Sequence, residues 1–479
     1  MHAQRTLGVQ WQVPNNTQTA KAELKQFEKL GITILQIDAP LSPALWQAVD
    51  SLDFDVWGEL GIRFPTATTF GSPDSALVAQ IQNRASAYLS QPSVDAMGLF
   101  SFGATGESSF WEQLAPIASQ IRANRSVRLY HSGYSPAVSD TIVSNFLIYN
   151  THVTAATVDS ISIPITQKIG GYLYTPSVAL SSYLYPLNQF IDKTALAPDI
   201  PILVQSDWLL ATLERHPQVA DLLQDLAAES NPAFALPEED IPKPQSSTLP
   251  IIVLLVVWGS IAFHYHSSPI YRKSIFRYFS AHKFFVNDIF QRHIRSPLPA
   301  IFIILQTALL TAASVFAAFS VAISETGLEA LFFHFPILTI WGNSVFALFI
   351  WAISISLLLS LVSILWLYLS HKSIKSLTQI ATIYAWPLQL TFLLSTITIT
   401  LFASGAANYW IISGGILTVL VNILSFVIAA GDLNRFSRST ISFLLKTTVL
   451  YAFLWIGIAT VILLNNQWTE AISLAAELT

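Results

Sequence analysis

Hydrophobic and polar positions follow two different rhythms along the chain. Up to about residue 230, short apolar runs of strand length alternate with segments whose apolar residues recur at helical spacing. The strand candidates are "LGVQWQV" (7–13), "ITILQID" (32–38), "FDVWGEL" (54–60), "AMGLFSFG" (96–103), "VRLYHSG" (127–133), either "SNFLIYN" (144–150) or "VDSISIPI" (158–165), and "PILVQSD" (201–207). Between them "TAKAELKQFEKLG" (19–31) reads as an amphipathic helix closed by a glycine, and "SPALWQAVDSLD" (42–53) as one opened by Ser-Pro. Alternation of this length predicts an α/β fold with a parallel sheet, a (β/α)8 TIM-like barrel. Seven strands are assigned in this way; no segment declares itself as the eighth.

From Leu249 onward the rhythm changes to long apolar runs separated by short polar pieces. Six of them approach the roughly 20 residues that a bilayer requires: 249–265, 298–323, 344–369, 377–402, 409–430 and 442–464. "FHFPILTIWG" (333–342), with Pro336 and Gly342, reads as an interfacial or re-entrant piece. Between the two regimes, "NPAFALPEEDIPKPQSSTLP" (231–250) carries five prolines, which deny backbone donors and favour an extended linker. The expected organisation is a barrel over 1–230, a linker over 231–248, and an all-α polytopic transmembrane bundle over 249–479.

Charge sharpens this division. Residues before 249 hold 23 acidic and 13 basic side chains, a net of −10; the remainder holds 6 and 11, a net of +5. All eleven basic residues of the second part lie in or beside three loops: Arg272, Lys273, Arg277, Lys283, Arg292 and Arg295; then Lys372 and Lys375; then Arg435, Arg438 and Lys446. The intervening loops and the C-terminal tail have none. Basic loops stay in the cytoplasm, so these three are expected inside. An even number of spans then places the barrel outside, as in an integral protein of a bacterial inner or plasma membrane.

The basic loop 271–295 interleaves its charges with Phe, Tyr and Ile at helical spacing, and is expected to lie along the inner membrane surface. Few ionisable groups fall deep in the spans, and Asn343, Asn422 and the Ser/Thr residues read as helix–helix hydrogen-bonding groups. The chain has no cysteine, which excludes thiol catalysis and thiolate metal sites. His131 and His152 lack a partner at metal-ligand spacing, so neither metal nor cofactor is expected. No basic patch in the first part suggests nucleic acid.

Several segments resemble a known family. "LGVQWQVPNNT" (7–17), "LGITILQIDAPLSP" (30–43) and "DVWGEL" (55–60) are similar in order and spacing to the opening of the catalytic barrel of glycoside hydrolase family 2. "SQPSVDAMGLFSFGATG" (90–106) resembles that family's strand bearing the acid/base, and "PILVQSDW" (201–208) its strand bearing the nucleophile. The resemblance covers about residues 7–210 and implies a carbohydrate ligand.

It also implies a loss. The family's Asn falls on Ala104, its acid/base Glu on Thr105 and its nucleophile on Ser206, so neither catalytic position holds a carboxylate. Threonine does not protonate a leaving alkoxide at neutral pH, and serine does not replace a carboxylate at an anomeric carbon without a base. Glu107 and Asp207 lie one or two residues away, and Glu59 matches a family carboxylate at the end of the third strand; these three are the catalytic candidates of an active enzyme. Trp11, Trp57, Tyr130, His131, Tyr149 and Trp208 lie near predicted strand ends and are the candidates for stacking on sugar rings.

The leading expectation is a membrane-anchored, catalytically impaired barrel acting as an extracytoplasmic glycan-binding or envelope module. The alternatives are an active membrane-bound glycosidase, and a transporter or assembly component with an accessory barrel. No apolar leader precedes Leu7, and family 2 barrels usually follow β-sandwich domains. The sequence is therefore expected to be an N-terminally incomplete version of a longer exported protein.

Overall fold

The computed structural model describes residues 6–68, 75–103, 108–134, 143–154, 158, 161, 163–166, 168–177, 180–228, 247–291, 296–371, 376–437 and 439–478. The chain divides into two compact units, with the division in sequence at about residue 245.

The first unit is a closed barrel of eight parallel strands in sequential order. They are β1 (Leu7–Trp11), β2 (Ile32–Ile37), β3 (Asp55–Glu59), β4 (Val94–Gly98), β5 (Arg128–Gly133), β6 (Phe146–Val153), β7 (Ile169–Pro176) and β8 (Ile202–Gln205). Closure runs through β1 and β8, from Leu7 opposite Ile202 to Gln10 opposite Gln205. Seven strands fall on the expected segments; for β6 the choice is 144–150. Segment 158–165 forms no strand among the described residues, and the missing strand is "IGGYLYTP". Its glycines hid it, and they are there for close approach. A Cβ on Gly170 would lie 2.5 Å from the Phe146 ring, and one on Gly171 3.1 Å from Leu203.

Helices cover the outside of this sheet. Helix α1 (Thr17–Lys29) starts where the Asn16 side chain accepts from the Gln18 N–H at 2.8 Å, and it buries Ala20, Leu24 and Phe27. It ends at Gly31, whose φ of +76° suits glycine. Helix α2 (Pro43–Ser51) has proline in its first turn and buries Leu45, Trp46 and Val49. These faces join one apolar layer between sheet and helices, while a second, smaller apolar cluster fills the barrel interior.

The second unit is all helical, with six helices long and apolar enough to cross a membrane: Leu249–Ser267, Leu298–Ala322, Val345–Ser370, Leu377–Ala403, Asn408–Asn434 and Thr440–Leu464. Each lies within a few residues of its expected span. The second is central, with 67% of its apolar stretch buried, against 11% for the sixth. Pro387 lacks an N–H and breaks the fourth span into a 3-10 turn at Pro387–Gln389.

"FHFPILTIWG" does not extend the third span. Pro336–Trp341 is a separate 3-10 turn ended by Gly342 at φ +109°, with Ile337, Ile340 and Trp341 exposed. The basic loop forms two short helices, Pro269–Ser280 and His282–Phe290. Tyr271, Tyr278, Phe285 and Ile289 face the bundle, and Phe276, Phe279 and Phe284 are exposed beside the cationic residues. A hydrogen bond of 2.7 Å between His282 Nε2 and Asp432 ties the second of these helices to the end of the fifth span.

Candidate ligand-binding site

Strand alternation turns every second residue into the barrel. The interior cluster contains Ile34, Trp57, Ala96, Tyr130, Phe146, Ile148, Leu173 and Leu203. Gly8 completes it on β1, where a Cβ would meet Ile34 at 3.0 Å and Leu203 at 3.1 Å. Two residues nearer the C-terminal ends, the inward positions change character. On β1 to β3 they are Gln10, Gln36 and Glu59; on β4, Gly98; on β5 to β8, Ser132, Asn150, Thr175 and Gln205. An apolar plug is thus capped by a polar ring at the mouth where barrels of this type build their sites. Glu59 is the one carboxylate in that ring.

Glu59 is 3% exposed. Its Oε1 accepts from Gln36 Nε2 at 2.6 Å and from the Tyr130 hydroxyl at 3.0 Å; its Oε2 accepts from Ser101 Oγ at 2.8 Å. Burial raises its pKa above the ordinary value, against the three hydrogen bonds and Arg63, which pull it down. The Tyr130 phenol is raised as well, first by burial and then by Glu59. Room for the carboxylate comes from β4: a Cβ on Gly98 would stand 2.6 Å from Glu59 Oε2. The Gln36 amide oxygen finds no donor among the described residues.

Above the ring lies a cavity of about 590 Å3, lined by Gln10, Gln12, Gln36 and Gln205, by Asp38 and Glu59, and by Arg63, Arg84, Ser101 and Phe102. This is within the usual size range for small-ligand sites. One wall is an extension of β3 and β4: Ser101 N–H donates to Ile62 O at 2.8 Å and Phe64 N–H to Ser101 O at 3.1 Å. Phe64 (φ +47°) and Phe102 (φ +61°) hold left-handed backbone there and stack at 5.4 Å between centroids. Bulky residues seldom adopt that conformation, and such strain collects at functional surfaces.

The sequence-derived candidates divide by strand face. Glu59, Trp57 and Tyr130 come together: Trp57 packs against Tyr130 at 5.7 Å and Phe146 at 5.4 Å, below the mouth. His131, Tyr149 and Trp208 turn into the layer between sheet and helices, and Trp11 does so while also lining the edge of the cavity. Trp11 donates to Glu23 of α1 at 2.7 Å and meets Phe27 edge-on. His131 sits between Phe100 and Trp111, with Nδ1 2.9 Å from Ser144 Oγ. Tyr149 is half-buried against the outer apolar layer. Trp208 donates to Ser181 O at 3.0 Å and packs on Tyr174.

Ser206, at the family's nucleophile position, opens the helix Ser206–Arg215; its Oγ accepts from Gln12 N–H at 3.0 Å, stitching β1 to the end of β8. Asp207 is exposed on the same first turn. Ala104, Thr105 and Glu107 lie outside the described residues. Among the described residues no group of His, Asp and Glu is arranged to hold a metal.

Sequence reasoning missed the ring. Its signal was available as a two-residue step from apolar to polar, Ile34 to Gln36 and Leu203 to Gln205, repeated around the strands. Arg84 had no such signal, because it reaches the mouth from the helix Ser75–Leu89.

No family model matches the chain, and no curated protein matches it. Solved structures of barrel enzymes do. An endo-β-1,4-mannanase from Thermotoga petrophila matches with TM-score 0.35 and 10% identity over 50% of this chain and 78% of that one. A β-glucuronidase from Ruminococcus gnavus matches with TM-score 0.31 and 10% identity, over 42% and 43%. A putative α-amylase from Salmonella typhimurium matches with TM-score 0.27 and 12% identity, over 51% and 63%. Values this low assign neither a family nor a substrate to the chain.

Proposed function

We propose that the first unit is a saccharide-binding barrel, related to the family 2 glycosidase barrel, that binds without hydrolysing. Six spans anchor it to a bacterial inner or plasma membrane, with the barrel on the outer face as an envelope module. The supporting observation is the mouth ring, in which Glu59 is the one carboxylate among the described residues and is already engaged by three donors, with Asp38 the only other described carboxylate on the cavity lining. Glycoside hydrolysis by the common mechanisms takes two carboxyl groups, about 5–5.5 Å apart for retention and about 6.5–9.5 Å for inversion. Glutamine amides and arginines around a cavity of about 590 Å3 instead offer the hydrogen-bonding groups that sugar hydroxyls accept.

The full chain in nanodiscs should be retained by saccharides on a glycan array and should leave nitrophenyl glycosides uncleaved above the buffer rate. Turnover that disappears in Glu59→Gln or Asp207→Asn would overturn the non-hydrolytic reading. Orientation is tested separately, since the native chain has no cysteine. Cysteines at exposed Ser280 and Ser439 should be shielded from impermeant thiol reagents in intact cells, and those at exposed Ser404 and Asn466 should be labelled. The opposite labelling pattern would invert the topology.

A further inference from the structure

Two guanidinium groups line the barrel mouth without a carboxylate partner. Neither Arg63 nor Arg84 makes an ion pair among the described residues, whose bridges lie elsewhere. Both are deliberately placed. Arg63 lies over the Phe102 ring at 5.1 Å, on the wall where Phe64 and Phe102 hold left-handed backbone. Arg84 donates from Nη1 to the Asp38 carbonyl at 3.2 Å and passes across the end of β3 at Gly61. A Cβ on Gly61 would collide with that Nη1, and the residue's φ of +80° also calls for glycine. The nearest buried acid, Glu59, already has Gln36, Ser101 and Tyr130 as donors.

The same lining carries the Asp38 and Glu59 carboxylates, so what the recess offers an anion is two guanidinium groups free of ion pairs beside a low-dielectric plug, not a net positive field. Guanidinium groups bind carboxylate and phosphate through paired N–H donors, an interaction stronger than a neutral hydrogen bond. A second observation separates a bare anion from a sugar. Gln36, 1% exposed and on the cavity wall, has an amide oxygen with no donor among the described residues, so the site also wants a hydroxyl.

We propose that the ligand is an anionic saccharide, a sugar carrying a carboxylate or a phosphate, whose charge is met by Arg63 and Arg84 while its hydroxyls meet the glutamine ring. This rests on the saccharide reading above and narrows it to a charge class.

The test titrates the full chain, in nanodiscs of neutral lipid, with hexuronate oligosaccharides, sugar phosphates, neutral oligosaccharides of equal length and inorganic phosphate alone. At least one acidic class should bind about tenfold or more tightly than the neutral sugars, and its binding should weaken as salt rises. Which acidic class binds identifies the source of the charge. Arg63→Gln and Arg84→Gln should each cost about tenfold or more in affinity for that class, with Arg63→Lys retaining part of it. Arg63 is exposed, so its variants report on binding even where loss of Arg84 loosens the Gly61 turn.

Equal binding of neutral and acidic sugars, unaffected by either substitution, would overturn the charge inference and leave the saccharide reading standing. Inorganic phosphate binding as tightly as any sugar would overturn the sugar half of the proposal. Retention of no saccharide at all would remove the underlying reading together with this one.

Discussion

The two units treat polar side chains in opposite ways. In the barrel, polar groups reach across strands: Gln36 on β2, Ser101 beyond β4 and Tyr130 on β5 converge on Glu59 of β3, and Ser132 of β5 donates to Asn150 of β6 at 3.1 Å. In the membrane unit, hydroxyls fold back onto their own helix. Ser360, Thr398, Thr400, Thr418 and Ser425 each donate to the carbonyl four residues earlier. Cross-helix bonds exist, such as Asn422 to Thr311 at 3.0 Å and Gln306 to Ser260 at 2.7 Å, but they are the minority pattern. The apolar surface is inverted as well. Among the described residues, Ile165 and Leu196 are the only exposed large hydrophobics of the barrel, while the membrane unit exposes them along every span. Polarity gathered at one mouth lines a cavity; polarity spent locally leaves a helix apolar on its outside, as a bilayer would require.

Substitutions that cut across this contrast should rank accordingly. Trp57→Ala empties the centre of the barrel plug, and should cost about 3–5 kcal/mol. In the full-length chain it should speed hydrogen exchange in β2 to β5 and leave the spans unchanged. Glu59→Ala strands three donors, and should cost about 1–3 kcal/mol by denaturant midpoint, read by pulse proteolysis of the barrel. Asn422→Ala removes a bond between the fifth and second spans, and should cost about 0.6 kcal/mol in a detergent unfolding assay. Thr400→Ala, which loses only a bond to its own helix, should lie within about 0.5 kcal/mol of the parent. A larger loss at Thr400 than at Glu59 would break the comparison.

Acidity sharpens the same point. Because burial raises the Glu59 carboxyl above its ordinary value of 4.5, the folded barrel keeps a proton that the unfolded chain has already released. Folding therefore takes up a proton in that interval, and stability falls as pH rises through it, with the full contribution present below about 4.5. Glu59→Gln should flatten this slope and be more stable than the parent at neutral pH. An unchanged slope between about pH 4 and about pH 8 would assign the dependence to other groups.

Legibility in the sequence follows physics more than length. The six long apolar helices were readable because each is one continuous apolar run. Seven strands were readable because alternation and flanking helices mark them. The strand from Ile169 to Pro176 was not, since Gly170 and Gly171 suggest a turn until Phe146 and Leu203 are seen pressing on them. Glu59 was legible as a carboxylate at a strand end. Its surroundings were not, because Gln36 and Ser101, which donate to it, and Arg84, which lines the same cavity, come from three different elements that converge only after the sheet closes. The aromatic candidates show the converse. Trp57 and Tyr130 have interior parity on their strands, whereas His131, one residue beyond Tyr130, belongs to the outer layer.

That closure also sets a schedule. The seam between Gln10 and Gln205, and the bond from Gln12 to Ser206 across 194 positions, do not exist until translation has passed the eighth strand. Until then β1 and β7 are raw edges, open to pairing with any passing strand. Leu249, where the first span begins, follows Gln205 by 249 − 205 = 44 residues. At about 5–20 residues per second, that is a lag of about two to nine seconds. The nascent chain thus begins the first of its six long apolar helices within seconds of its barrel first being able to shut.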